Sequence, residues 1–284
     1  MESKLVFDIG LCDGEDSRYY LDLGYSVVGV EANPYLAEQC RLRFAQEIAQ
    51  HRMKVVNVGI LQQQGSFTFY RDVANVELSS FVQLHQDTKD WEEMTIPCIT
   101  TKNLIAEYGK PYFMKVDIEG ADLQALATLT PDDCPPYLSL EIGSNGMEIL
   151  DRLLELGYSR FKFVEGRTHW CSLSILQNEF GWRLLRKIGR VAPFIRNGIS
   201  KLPQRFHNRT EWDPVEDFIY NPDLYQSCGC WSGPFGERAS GTWRRSASAR
   251  SFLKKLAKDS LAVSYGDFIW WDIHARHNSV RSRG

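Results

Sequence analysis

Between Asp8 and Asp16 the chain reads Asp8-Ile-Gly10-Leu-Cys12-Asp13-Gly14-Glu15-Asp16, a glycine-bearing turn crowded with carboxylates. It follows the short apolar run Leu5-Val-Phe-Asp-Ile9 and precedes a helical pattern. A turn of that kind, between a first strand and a helix, is where α/β sheets bind nucleotides. Two ligand chemistries compete for it. A dinucleotide requires G-x-G-x-x-G, so that backbone can approach the pyrophosphate. Counted from Gly10, the second and third glycine positions hold Cys12 and Glu15. A carboxylate at the start of the helix also repels the phosphate that a helix N-terminus attracts.

S-adenosylmethionine carries a sulfonium cation and no phosphate, and an acidic loop suits it electrostatically. Gly10 and Gly14 let the chain turn tightly beneath its methionine portion. Glu31 ends the second strand, where an acid accepts hydrogen bonds from both ribose hydroxyls of either cofactor. Each residue alone is also compatible with a plain tight turn or a solvated acid. Strand, glycine loop, helix, strand and acid in that order specify a nucleoside pocket.

A second constellation, Lys115-Val-Asp117-Ile-Glu119-Gly-Ala-Asp122, follows the fourth strand and faces the same crevice. Asp117 and Glu119 lie on one side of an extended segment. They are either acceptor or cofactor contacts or caps for the next helix.

On these residues the chain resembles the FkbM methyltransferase family. The resemblance rests on Asp8-Ile-Gly10 with Gly14, on Glu31-Ala32-Asn33-Pro34, and on Lys115-Val-Asp117-Ile-Glu119-Gly-Ala-Asp122, and it spans roughly residues 4–165. Ser232-Gly-Pro-Phe-Gly236 and Trp271-Asp-Ile-His274 are similar to segments of some members. The resemblance implies a Rossmann-like class I methyltransferase fold with S-adenosyl-L-methionine as donor. It implies cofactor contacts from Asp8, Gly10, Gly14, Glu31, Ala32, Asn33 and Asp117. It also implies O-methylation, often of a sugar or small metabolite. The partner expected is therefore a small-molecule or glycan acceptor.

Methyl transfer from a sulfonium needs alignment of the acceptor, which alone supplies about 7–11 kcal/mol. A base adds roughly 10²–10⁴ in rate for a hydroxyl acceptor. Asp117 is the first candidate for acceptor contact or base, with Glu119, Glu141 and His274 behind it. His169 and His274 also suit satisfied structural roles. No compact ligand set is apparent in the sequence, so no metal is expected. Cys134-Pro-Pro-Tyr137 resembles the N-P-P-Y loop of amino-group DNA methyltransferases, but it precedes the fifth strand and reads as a rigid lead into it.

The elements that must position these groups alternate strand and helix. Strands are expected at Leu5–Ile9, Ser26–Glu31, Lys54–Ile60, Tyr112–Asp117, Tyr137–Glu141 and Arg160–Val164, with an extra extended piece at Gly65–Tyr70 and a polar loop after it. Helices are expected at Ser17–Leu23, Tyr35–Gln50, Ala121–Leu129 and Met147–Leu156. The expected fold is α/β: a mostly parallel seven-stranded sheet with helices on both faces and a large insertion before the last strand. Residues 1–165 form the cofactor-binding core. Residues 166–265 form an insertion or cap over the acceptor site. Residues 266–284 return as the last strand, Asp267–His274, and a basic tail.

In the insertion, no acid lies between Glu179 and Glu211, while Arg183, Arg186, Lys187, Arg190, Arg196, Lys201, Arg205 and Arg209 are cationic. Residues 182–209 read as a cap helix with solvated charges, a surface for an acidic acceptor, or a peripheral membrane contact. Trp170, Trp182, Trp212, Trp231 and Trp243 suit either sugar rings or an ordinary core. Ser232–Glu237 is expected to belong to a lid that selects the acceptor.

The net charge of −3 selects neither DNA nor membrane, and no RNA-binding motif is present. Seven scattered cysteines, with Cys228-Gly-Cys230 as the one close pair, read as free thiols of a reducing compartment. With no signal peptide or apolar span, a cytoplasmic protein is expected. The rival readings are an NAD-linked oxidoreductase, an RNA methyltransferase and a catalytically silent S-adenosylmethionine-binding scaffold.

Overall fold

A computed structural model describes residues 4–82, 91–165, 233–239, 241–258 and 271–280. Among these residues, ten strands form two sheets. The main sheet contains β1 (Leu5–Ile9), β2 (Ser26–Val30), β3 (Met53–Val56), β7 (Phe113–Val116), β8 (Tyr137–Ile142), β9 (Tyr158–Glu165) and β10 (Trp271–His277), in the spatial order β3-β2-β1-β7-β8-β10-β9. The first five in that order run parallel, and β10 lies antiparallel between β8 and β9. This is the Rossmann-like α/β plan expected, with the last strand returning to the same sheet after residues 166–270.

Side chains on strands alternate between faces, and the two faces differ here. One face presents Phe7, Ile9, Val28, Val30, Met114, Val116, Leu138 and Leu140. They pack against α4 (Thr101–Tyr108), α5 (Asp122–Leu126), α6 (Gly146–Glu155) and α7 (Ser246–Lys258). In α6, Ile149, Leu150 and Leu153 recur at helical spacing and are fully buried. The other face meets α1 (Glu15–Asp22), α2 (Pro34–Arg43) and α3 (Ala45–Ala49) through Val6, Val27, Phe113 and Tyr137. Toward the carboxyl ends of its strands that face turns polar: Asp8, Lys115, Ser139, Asp272 and His274 are all buried.

Several local outcomes differ from the sequence reading. The single helix expected over Tyr35–Gln50 is two, because Phe44 adopts φ −102, ψ 20 and breaks the run. It starts at Pro34, with Asn33 Oδ1 accepting from Tyr35 N at 3.0 Å. The strand expected over Lys54–Ile60 divides after Val56. Its end, β4 (Gly59–Ile60), joins a second sheet of order β4-β6-β5, with β5 (Gly65–Asp72) and β6 (Trp91–Ile99) antiparallel. β6 and α4 lie in the stretch left between Tyr70 and Tyr112. Glu92, Glu93 and Pro97 are poor strand formers, which hides β6 from a propensity reading.

Most of the expected cap lies outside the described residues, including the basic stretch 182–209, His169 and Cys228-Gly-Cys230. Its described pieces belong to the core. Phe235 stacks on Phe113 at 3.8 Å and meets Tyr20 and Tyr25 edge-on or tilted. Glu237 accepts from Tyr137 Oη, Trp243 Nε1 and Arg276. Phe113 and Tyr137 begin their strands, so Gly233–Glu237 covers the amino ends of the sheet. That corrects the lid expected there, because the crevice opens at the carboxyl ends. Ala249 and Leu253 of α7 join the main core.

Candidate functional site

The first loop leaves β1 and crosses the end of β2, where Gly10 N and Leu11 N both donate to Val30 O at 3.0 Å. Gly10 takes φ 87, and a Cβ there would overlap the carbonyl oxygen of Asp117. Only a glycine lets the first loop lie directly on the end of β7. Gly14, at φ 86, precedes α1 and abuts the Phe44 ring. Cys12, at the second glycine position of a dinucleotide loop, is in the left-handed region at φ 49.

That conformation aims the Cys12 N–H at Glu31 Oε2, 2.8 Å away, while Asn33 N donates to Oε1, also at 2.8 Å. Each carboxylate oxygen keeps a further acceptor position. Burial raises the Glu31 carboxyl to about 7, against the pull of these two N–H groups. Asn57 Nδ2 donates to Glu31 O at 2.8 Å and Ala32 O at 3.1 Å, bracing the half-buried Ala32 turn. The broken strand frees Asn57 for this. A reading of one continuous strand concealed it.

The loop acids do not all face a ligand. Asp8 is fully buried, accepts from Ser17 Oγ at 2.6 Å and lies 3.5 Å from Lys115 Nζ. It supports the loop from beneath and does not reach the crevice, which corrects the direct contact expected. Lys115 Nζ also pairs with Asp16 at 3.1 Å and Asp117 at 3.3 Å. Glu15 pairs with Arg43 at 2.6 Å. Of the loop acids, Asp13 has no ion pair among the described residues. The acidity read from composition is thus largely compensated internally. Burial pushes Asp8 up to about 6 despite Lys115. Lys115 itself lies well above its ordinary value, because its three carboxylates outweigh its own burial.

The remaining acids gather at the carboxyl ends of β7 and β8. Asp117, Glu119 and Glu141 are half-buried, and one oxygen from each lies within 4.8 Å of the others. No side chain caps the following helix: Asp122, its first residue, accepts from Ile118 N and Gly120 N at 3.1 Å and ties down the loop before it. Asp117 and Glu119 are left to the crevice. Glu119 sits at φ 49, and Ser80 Oγ holds its carbonyl at 2.6 Å from the small sheet's side. Burial raises Glu119 to about 8 and Glu141 to about 10, with Asp117 the next cause in both. Asp272 is set opposite Glu141 by the β8–β10 register, and burial pushes it well up.

His274 is buried at 1% exposure, two residues further along β10 toward the amino ends, opposite Ser139. It is closed off from the crevice mouth, which corrects the catalytic role considered for it. Among the expected site residues, the structure brings together Gly10, Asp117, Glu119 and Glu141 in one group and Glu31, Ala32 and Asn33 in another, joined by the first loop. Cys12, Cys40, Cys98 and Cys134 are free thiols.

Residues 8–160 match the methyltransferase FkbM domain. Among solved structures, FkbM methyltransferase from Methylobacillus flagellatus KT aligns at 16% identity and TM-score 0.38, over 54% of this chain and 37% of that one. This chain therefore corresponds to well under half of that protein's length. Precorrin-6y C5,15-methyltransferase from Geobacter metallireducens GS-15 aligns at 12% identity and TM-score 0.34, over 58% and 68% of the two chains. An rRNA methylase from Streptococcus thermophilus aligns at 12% identity and TM-score 0.34, over 57% and 76%. No curated protein matches the chain.

Proposed function

Because this chain belongs to the FkbM methyltransferase family, we propose that it moves a methyl group from S-adenosyl-L-methionine to a hydroxyl of a small metabolite, sugar or glycan. The observation that carries the donor half is Glu31. Its two oxygens are oriented by Cys12 N and Asn33 N at the end of β2, each with an acceptor position left for a ribose hydroxyl. Gly10 and Gly14 hold the loop beside it, where the methionine portion would lie. Asp117, at the crevice and tied to Lys115, is the residue proposed to meet the donor's amino-acid end or the acceptor. The acceptor hydroxyl would lose its proton to this acidic group as its oxygen bonds the methyl carbon and the sulfonium becomes a thioether.

Acceptor choice is assigned to residues 166–232, outside the described residues. No described helix is long and apolar enough to cross a membrane.

Calorimetric titration with S-adenosylhomocysteine and, separately, NAD tests the donor half. Saturable binding of S-adenosylhomocysteine alone is expected. Glu31→Ala should weaken it by about 2–3 kcal/mol, the loss of charge-assisted hydrogen bonds to two hydroxyls. Binding of NAD, or none of S-adenosylhomocysteine to folded protein, would sink the proposal. Wild-type affinity should also depend on pH. Protonated Glu31 loses acceptor capacity, so affinity should fall as pH drops through about 7, by at most ~10-fold per unit for one proton. Glu31→Gln should remove that dependence.

A further inference from the structure

The acidic cluster at the ends of β7 and β8 is built more closely than methyl transfer from an activated donor requires. We propose that Asp117, Glu119 and Glu141 hold a hard divalent cation, Mg²⁺ or Mn²⁺ in class, with Asp272 supporting it from β10. The inference goes beyond the methyltransferase reading. Only the ion's use, gripping an acceptor oxygen, rests on that reading.

Geometry is the first argument. An ion that binds oxygens at 2.0–2.6 Å spans donors about 4 Å apart for Mg²⁺ and about 5 Å apart for Ca²⁺, a difference that small side-chain rotations close. The three carboxylates fall inside the wider span, within 4.8 Å of one another. An all-oxygen set selects Mg²⁺, Ca²⁺ or Mn²⁺ over softer metals. All three residues remain partly open, so an ion there keeps sites for water and for an acceptor oxygen. Asp117 gives Oδ2 to Lys115, and a carboxylate has a second oxygen to offer.

An independent argument comes from β10. Asp272 is 5% exposed, yet its Oδ2 has no hydrogen-bond partner among the described residues. Directly opposed residues of an antiparallel pair point to the same side. The pairing Asp272↔Glu141 therefore turns this carboxylate toward the cluster, and after burial Asp117 is the charge that bears on it most. A buried, unsatisfied carboxylate is costly unless something positive meets it. Lys115, the buried cation nearby, is already shared by Asp8, Asp16 and Asp117. A divalent ion fills that need. The sequence alone did not join these residues, because the three ligands come from two separate segments and Asp272 from a third.

Full-length protein, stripped with chelator, would be titrated with MnCl₂ by calorimetry and by loss of the free Mn²⁺ resonance signal. One bound ion per chain, displaced by Mg²⁺, is the expected result. Glu119→Gln and Glu141→Gln should each weaken it more than ~100-fold, and Asp272→Asn by ~10–100-fold, the range for groups that support metal ligands. If those variants fail to fold, cleavage of the native backbone by bound Fe²⁺ with ascorbate locates the ion. Cuts near residues 117–119 and 141 support the site, and cuts elsewhere overturn it. Absence of saturable Mn²⁺ and Mg²⁺ binding, with or without S-adenosylhomocysteine, also overturns it, as does undiminished binding in folded Glu119→Gln and Glu141→Gln. S-adenosylhomocysteine titrated into the metal-free protein keeps the two readings apart. Donor binding without ion binding removes the metal site alone, and ion binding without donor binding removes the methyltransferase reading alone.

Discussion

Lys115→Met should lower the stability of the fold by about 3–5 kcal/mol, the cost of leaving buried carboxylates without their cation. Met preserves the length and packing of the side chain, so the loss isolates the charge. Lys115 is 4% exposed and lies 3.1–3.5 Å from Asp8, Asp16 and Asp117. It also donates to Gly10 O at 3.4 Å, so the variant loosens the cofactor loop as well. A melting-temperature drop of roughly 10 °C corresponds to such a loss in a domain of this size.

The pH dependence gives the effect a second signature. Asp8 is already raised to about 6 by burial, and Lys115, ahead of the Ser17 hydrogen bond, is the main pull downward. Without the lysine, its folded-state pKa rises further above the unfolded value. A carboxyl raised in the folded state binds its proton more tightly there, so folding is favoured at low pH and disfavoured as pH rises. The gap between variant and wild type should therefore be wider at pH 8 than at pH 5. A drop of only a degree or two, or a gap independent of pH, would mean that the four groups are not coupled as described.

Gly10→Ala is the second large effect. The residue has φ 87, and its new Cβ would collide with the backbone carbonyl of Asp117, whose carbon lies 2.8 Å away. Left-handed strain costs about 1–2 kcal/mol, and overpacking against backbone a further ~1–3 kcal/mol. The clash cannot be relieved by turning a side chain. It lifts the first loop off β7, separating Glu31's partner Cys12 from Asp117. Loss of about 3–4 kcal/mol in stability is expected, together with loss of S-adenosylhomocysteine binding in whatever protein folds. Gly24→Ala is the control. Gly24 has φ 85 but nothing within 4 Å of its Cβ position, so strain alone applies, at about 1–2 kcal/mol. Similar melting temperatures for the two variants would show that the loop does not bear on β7.

The proposed donor half of the site was legible in the sequence because it is local. Gly10, Gly14 and Glu31 sit at strand ends in one crossover, and glycine, acid and Asn33-Pro34 each carry their own backbone signal. Lys115 was legible in principle. The two-residue period of a strand puts it on the face of Asp117, where a lone cation between acids has to be buried. Asp117, Glu119 and Glu141 were each legible as candidates, but their joining with Asp272 was not, because it depends on pairing. Nothing near Glu141 in sequence announces Asp272, and only the β8–β10 register joins them. Composition misled at the first loop, where four acids looked like an attractive field until Lys115 and Arg43 were seen to neutralise three. It misled again after Glu165, where loop-like residues concealed pieces of the core. Cutting out the whole expected insertion, residues 166–265, would also remove Phe235, Ala249 and Leu253, so a deletion that tests the cap has to stop before Gly233.

The position of β10 imposes an order on synthesis. Among the described strands β9 pairs only with β10, beside a single bridge from Phe161 to Arg244. A ribosome completes β9 at residue 165 but must add roughly 100 more residues before its partner emerges, a delay of about 5–20 s at ordinary elongation rates. Throughout that interval β8 and β9 each present an open edge to the crowded cell, and open edges pair with whatever strand arrives first. The sheet closes only when the last segment threads between two strands that have been waiting for it. Slowing or pausing translation upstream of residue 271 should therefore raise the fraction of chains that aggregate, while supplying residues 271–280 early, by circular permutation, should lower it.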